Sequence, residues 1–310
     1  MWQMIVASVV WVSIGLCLNR FNFLSTSFPK QLGKTLYWIG MPIQIFGLAL
    51  TANFADAVWF PPTVTIVVLL LGLGIAVLCL YLGIKVLRQK SLTKKPEQGS
   101  FVLASILGNT GFVGLSIVPT LVDKTYLSSI LLYGITHNIV GSYGMGVVLA
   151  SHFGRNSSHN KWWNYCKTVL KTPALWAFAL GCSIHQPSLV KVLAPTVKML
   201  SIWVIPGVFI LLGMQLSHIR TNNLSGAILP TAIKTIVLPA LTGIVLTYLG
   251  VGGEARLSLV LMSGMPTAFT NAILAEEYDL DRQLTTSSIL VGTLLLPLSI
   301  PLWLFFFGTN

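Results

Sequence analysis

Residues 107–120 read LGNTGFVGLSIVPT, and eleven of them hold Asn109, Gly111, Gly114, Ser116 and Pro119. The sequence is apolar on both sides, with FVLASI at 101–106 and LSSILLYGI at 127–135. A helix facing lipid gains nothing from such breakers, because each one frees backbone groups that hydrocarbon cannot satisfy. Interrupted apolar segments are tolerated where they line a cavity inside protein. Residues 262–278, MSGMPTAFTNAILAEEY, repeat the pattern with Gly264, Pro266, Thr267, Thr270 and Asn271.

Around these two stretches the 310 residues are 54% hydrophobic and 9% charged, against about 25% charged in an ordinary soluble domain. So few charges cannot cover a soluble surface. The apolar residues fall into runs close to the roughly 20 that span a hydrocarbon core. Periodicity and breakers place ten helices near 2–18, 35–52, 60–84, 100–121, 125–150, 165–184, 198–216, 225–249, 256–278 and 285–307. The first has no positive residue before it and is followed by Arg20, so it reads as a retained helix and not as a signal peptide.

Charge placement tests this count. With both termini extracytoplasmic, fourteen of the nineteen Lys and Arg fall on inner loops, including the stretches from Lys85 to Lys95 and from Arg155 to Lys171. Lys124, Lys191, Lys198 and Arg256 fall outside, and Lys234 lies within the eighth helix. The net charge of +11 is thus a topological signal for the cell membrane, and nucleic acid is not implied. The basic loop at 153–164 separates two halves, 1–152 and 165–310. Five helices per half make the second half enter the bilayer inverted, so the expected fold is an all-α polytopic membrane protein of two inverted five-helix repeats. Pro42 in YWIGMPIQIFGLAL and Pro206 in SIWVIPGVFILLG, in the second and seventh helices, agree weakly with that symmetry.

The interrupted fourth and ninth helices take matching places in the two halves. Gly111 and Gly114 may be read as packing residues, with Pro119 and Pro266 as kinks, if either helix is taken alone. Taken together, they form a pair of broken helices whose half-helix N-termini, at the breaks, offer free N–H groups and partial positive charge to a small anion. Asn109 and Asn271 would add directional amide hydrogen bonds. The expected substrate-binding set is Asn109, Thr110, Gly111, Ser116, Asn138, Tyr143, Met265, Pro266, Thr267 and Asn271. Gly114, Pro119, Gly264 and Pro266 are the expected hinges.

GNTGFVGL in the fourth helix, TPALWAFALG opening the sixth, KTIVLP in the eighth and MPTAFTNAILAEEYDLD in the ninth resemble the auxin efflux carrier family. The resemblance runs over nearly the whole chain, and the short central loop is like that of prokaryotic members. It implies the fold shared with bile-acid and sodium/proton transporters, in which the broken fourth and ninth helices cross, and transport of a small organic anion such as an auxin-like or dicarboxylic acid. It carries the substrate-site asparagine onto Asn109 and the crossover proline onto Pro266. It carries a polar residue and a tyrosine of the fifth helix onto Asn138 and Tyr143. The chain departs from the family by having Ser116 where proline is usual, and by lacking an Asp and a Lys in WFPPTVTIVV at the start of the third helix.

Other polar residues narrow the chemistry. All eight Asp and Glu lie in loops or at helix ends, so no midplane carboxylate is offered to a coupling cation. Lys234 is expected to give electrostatic support or to snorkel, and His137 to act as a buried hydrogen-bonding group or a supporting charge. The four cysteines have no CxxC spacing, and HExxH and GxSxG are absent. No metal, cofactor or catalytic residue is therefore expected. The expected partners are an organic anion, the bilayer and, in one arrangement, a second copy of the chain. The expected function is a carrier working by alternating access, with outward flow. A cation-coupled carrier of related fold and a non-transporting membrane sensor remain as alternatives.

Overall fold

The computed structural model describes residues 2–21, 25, 27–54, 58–85, 93–154, 170–184, 186–217 and 224–308. Within them the chain is all-helical. The helices are α1 (Trp2–Arg20), α2 (28–51), α3 (Phe60–Lys85), α4 (Lys95–Ile106), α5 (Thr110–Thr120), α6 (127–153), α7 (Pro173–Ser183), α8 (187–217), α9 (Leu224–Tyr248), α10 (Gly253–Ser263), α11 (Thr270–Glu277) and α12 (Arg282–Phe307). Four helices among the described residues are long and apolar enough to cross a membrane: Phe60–Gly83, Pro187–Met214, Leu224–Tyr248 and Arg282–Phe307.

The distribution of side chains is inside out relative to a soluble protein. Leu70, Leu78, Ile228, Leu294, Leu298 and Phe305 are exposed, while Ser100, Ser105, Ser258, Ser263, Ser287 and Ser288 are fully buried. Hydrocarbon solvates the first set at no cost, and the hydroxyls of the second need interior partners. Ser105, for example, donates to the Phe101 carbonyl at 2.8 Å.

Packing divides the helices into two groups. In the first, α1 lies along α8, and α2 packs on α7 and α8. The α1–α8 contact is close because Gly15 faces the backbone of Ile210 and Gly213 faces that of Val12, so neither position has room for a Cβ. In the second group, α3, α4 and α6 pack together and α9, α10 and α12 close around them. Contacts of α2 with α6 and of α8 with α5 join the groups.

Several boundaries differ from the sequence reading. The seventh expected helix begins near 187 and not near 198, with Pro187 at its first position, where proline's fixed φ and missing N–H are tolerated. Lys191 and Lys198, read as outer-loop residues, project from its exposed face while Val197 is buried. Arg256 is also not a loop residue. It is buried in α10, donating to the Thr247 hydroxyl at 2.8 Å and to the Phe307 carbonyl at 3.3 Å. The basic stretches at 86–92 and 155–169, with Arg88, Lys90, Arg155, Lys161, Trp162, Trp163, Cys166 and Lys167, lie outside the described residues, as do Asp56 and Arg220.

Candidate functional site

The fourth and ninth segments are both broken, and the breaks lie side by side. Between α4 and α5 the chain is extended at Leu107 and resumes as helix at Thr110. Between α10 and α11 it leaves the helix at Gly264 and resumes at Thr270. Gly108 and Thr267 form an antiparallel bridge. The Asn109 N–H donates to the Pro266 carbonyl at 2.7 Å, and the Ala268 N–H donates to the Leu107 carbonyl at 2.9 Å.

Breaking a helix leaves carbonyls at one new end and N–H groups at the other. At the end of α4, Asn271 donates its amide to the Leu103 carbonyl at 3.0 Å and Thr267 its hydroxyl to the Ala104 carbonyl at 3.1 Å. At the end of α10, the Ser263 carbonyl accepts from the Lys234 amine. At the start of α5, Asn109 is the N-cap, its side chain accepting from the Phe112 N–H at 3.2 Å. His137 Nε2 accepts from the Gly108 N–H at 3.2 Å.

A cavity of about 670 Å³ lies where the two helix groups face each other. It is lined by Asn109, Gly111 and Phe112 of the first break, Ala268, Phe269 and Thr270 of the second, and Asn138 of α6. Tyr37, Tyr143, Thr172 and Glu277 line it as well. The Tyr37 hydroxyl is hydrogen-bonded to Tyr143 and Thr172, which ties α2 to α6 across the cavity. Most of the remaining wall is apolar, including Met41, Ile45, Leu115, Ile139, Val208 and Ile273. The cavity therefore joins two helix N-termini and two amides to an apolar chamber.

Asn109, Gly111, Asn138 and Tyr143 of the expected set line this cavity. Thr110, Ser116, Met265, Pro266, Thr267 and Asn271 are not among its lining residues. Thr267 and Asn271 are turned toward α4, and Met265 is buried beside Gly114. Ser116 donates to the Gln44 side chain at 3.4 Å. The break precedes Thr110, so Pro119 is not at it but lies in the 3-10 turn Val118–Thr120 that ends α5. Gly264 packs against Pro239.

The sequence reading missed Tyr37, Ser142, Thr172, Thr270 and Glu277 as lining residues, and Gln44 as the partner of α5. A signal common to much of the site is a local widening of the helix. Leu36–Gly40, Thr110–Gly114, His137–Gly146 and Ile233–Val237 are π-helical turns. They carry Tyr37, Gly111, Asn138, Tyr143 and Lys234. Such turns concentrate at functional sites because the extra residue re-aims a side chain inward.

Comparison with known proteins fits this arrangement. Residues 165–304 match the family model described as membrane transport protein. Over that stretch the chain is similar to that family. It is the auxin efflux carrier family expected from the motifs of the fourth and ninth segments. An uncharacterized transporter of Methanothermobacter thermautotrophicus is 26% identical over 306 residues, covering 97% of this chain and 96% of the relative. An uncharacterized transporter of Methanocaldococcus jannaschii is 24% identical over 307 residues, covering 95% of each. The protein is an integral membrane transporter and not an enzyme.

Proposed function

We propose that this chain carries a small organic carboxylate outward across the cell membrane by alternating access, with its two halves arranged as inverted repeats and both termini extracytoplasmic. The observation that carries the proposal is the meeting of the α5 and α11 N-termini at one cavity with the Asn109 and Asn138 amides. N-terminal N–H groups and partial positive charge favour an anion, and the amides orient it.

The apolar wall favours a substrate with an apolar body, and Glu277 opposes a second negative charge in its neighbourhood. An auxin-like monocarboxylate therefore suits the cavity better than a dicarboxylate. Lys30, Lys34, Lys171 and Arg282 flank the ends of α2, α7 and α12, and the positive-inside rule assigns those ends to the cytoplasm. An inside-negative potential supplies about 2.3 kcal/mol per 100 mV to each monovalent anion leaving, so outward transport needs no other source.

A cation-coupled carrier is the second reading. It is favoured by buried oxygens without hydrogen-bond partners, Thr110 Oγ1 and Asn271 Oδ1. Against it, every described acidic residue sits at a helix end or in a turn.

Flux from proteoliposomes loaded with aromatic monocarboxylates and aliphatic dicarboxylates tests both readings. Monocarboxylate efflux that accelerates under an inside-negative potential, with no sodium or proton gradient, is the expected result. Absence of flux for every acid, or flux only with a cation gradient, would overturn it.

A further inference from the structure

Lys234 lies on the π-helical turn Ile233–Val237 of α9 and is 1% exposed. Its amine donates to the carbonyl of Ser263, the last residue of α10. It also lies against the other break, since a Cβ built on Gly108 would be 2.9 Å from Nζ and 3.0 Å from the Met265 carbonyl oxygen. Only glycine leaves room for the amine there. Lys234 does not line the cavity, but Gly108, against which its amine lies, does.

Its partners at this position are unusual for a buried ammonium. No described carboxylate reaches the crossover, and His137 presents Nε2 as an acceptor to the Gly108 N–H. The charge is instead met by the negative end of the α10 dipole and by backbone carbonyl oxygen. A small alkali cation takes such oxygens when a helix is broken in a membrane.

We infer that the Lys234 ammonium is a tethered cation: it fills, at the contact of the two breaks, the place that a mobile coupling cation would need. The inference rests on the carrier reading for its consequence, because a fixed charge beside Asn109 attracts the anion without being transported itself. Lys234 is thus a positioning residue. Its removal should open an alkali-cation site lined by the Ser263 and Met265 carbonyls.

Thermal unfolding of the purified protein in detergent tests this without any substrate, comparing sodium, lithium, potassium and choline chlorides at equal ionic strength. Wild type should unfold at one temperature in all four salts. Lys234→Ala should unfold lower in choline and regain about 3 °C or more in sodium or lithium. If Lys234→Ala is not recovered folded, Lys234→Gln replaces it, with the same expectation. A folded variant indifferent to all three alkali cations overturns the inference, as does a wild type stabilised specifically by sodium. Failure of carboxylate flux in the wild type would sink the carrier reading instead, and leaves this result unchanged.

Discussion

The backbone N–H of Asn109 donates to the carbonyl of Pro266 across 2.7 Å, joining two breaks that lie more than 150 residues apart. The Asn109 side chain turns back to cap α5 through the Phe112 N–H. One residue therefore fixes the crossover with its backbone and the cavity end of α5 with its amide. Asn109→Asp keeps the cap acceptor but places negative charge where the anion is proposed to sit. The expected outcome is a folded protein with carboxylate flux reduced at least about tenfold, equivalent to roughly 1.4 kcal/mol. Asn109→Ala should also lose about 1 kcal/mol of stability with the cap. Proteoliposome flux and thermal unfolding check the pair.

Gly111 faces Asn138 so closely that an added Cβ would lie 3.1 Å from the Asn138 amide nitrogen. Gly111→Ala should push that amide aside with little effect on unfolding. Its expected signature is a several-fold rise in KM for the carried acid at unchanged maximal rate. An unchanged KM would remove Asn138 from the site.

Gln44 of α2 donates its amide to the Leu115 carbonyl at 2.8 Å and accepts from Ser116. These are buried contacts between the two helix groups, on the side of Asn109 toward which α5 runs. Gln44→Leu leaves both α5 groups without that partner, at about 1–3 kcal/mol for each unsatisfied group. The unfolding midpoint should fall by several degrees. A cysteine placed near the Thr120 end of α5 should become more reactive to a membrane-impermeant thiol reagent applied from outside.

Asp123 precedes the turn Lys124–Tyr126, and the Thr125 hydroxyl and N–H hold its carboxyl below the usual carboxylate range. A depressed folded value means that this contribution is present above the unfolded value, about 3.9. It is lost as pH falls through the folded value. The group is fully exposed, so the effect should be small. Asp123→Asn should flatten part of the fall in unfolding midpoint below about pH 4. Identical acid profiles for variant and wild type would contradict this.

Much of the fold was legible because hydrocarbon imposes simple rules on sequence. Long apolar helices and two interrupted segments follow from the spacing of Gly, Asn and Pro. Within the site, the breaks were legible but their polarity was not. Thr267 and Asn271 belong to the ninth segment by sequence, yet they point at the carbonyls of α4. Which face of a broken helix meets a cavity depends on local winding, and a π turn shifts that face by one residue without any compositional mark. Tyr37 and Gln44 were hidden for a related reason. Both lie on α2 among mostly apolar neighbours, and their partners lie on segments distant in sequence. The part of α8 from Pro187 to Val197 was missed because Lys191, Pro195 and Lys198 look like a loop until Val197 finds a buried face.

The mutual capping of the two breaks also constrains the order in which this chain can be made. Asn271 reaches a partner 168 residues upstream, and Thr267 one 163 residues upstream. At about 5–20 residues per second, a ribosome takes roughly 10–30 s to cover that interval. Throughout it, the carbonyls of Ala104 and Leu107 lack the donors that later meet them. Bare carbonyls are not tolerated in lipid, so the fourth segment must wait in a watery or protein-lined environment until the ninth is made. A nascent chain stalled before residue 266 should therefore remain extractable or protease-sensitive at this segment. Release of the full chain should then lock it in place.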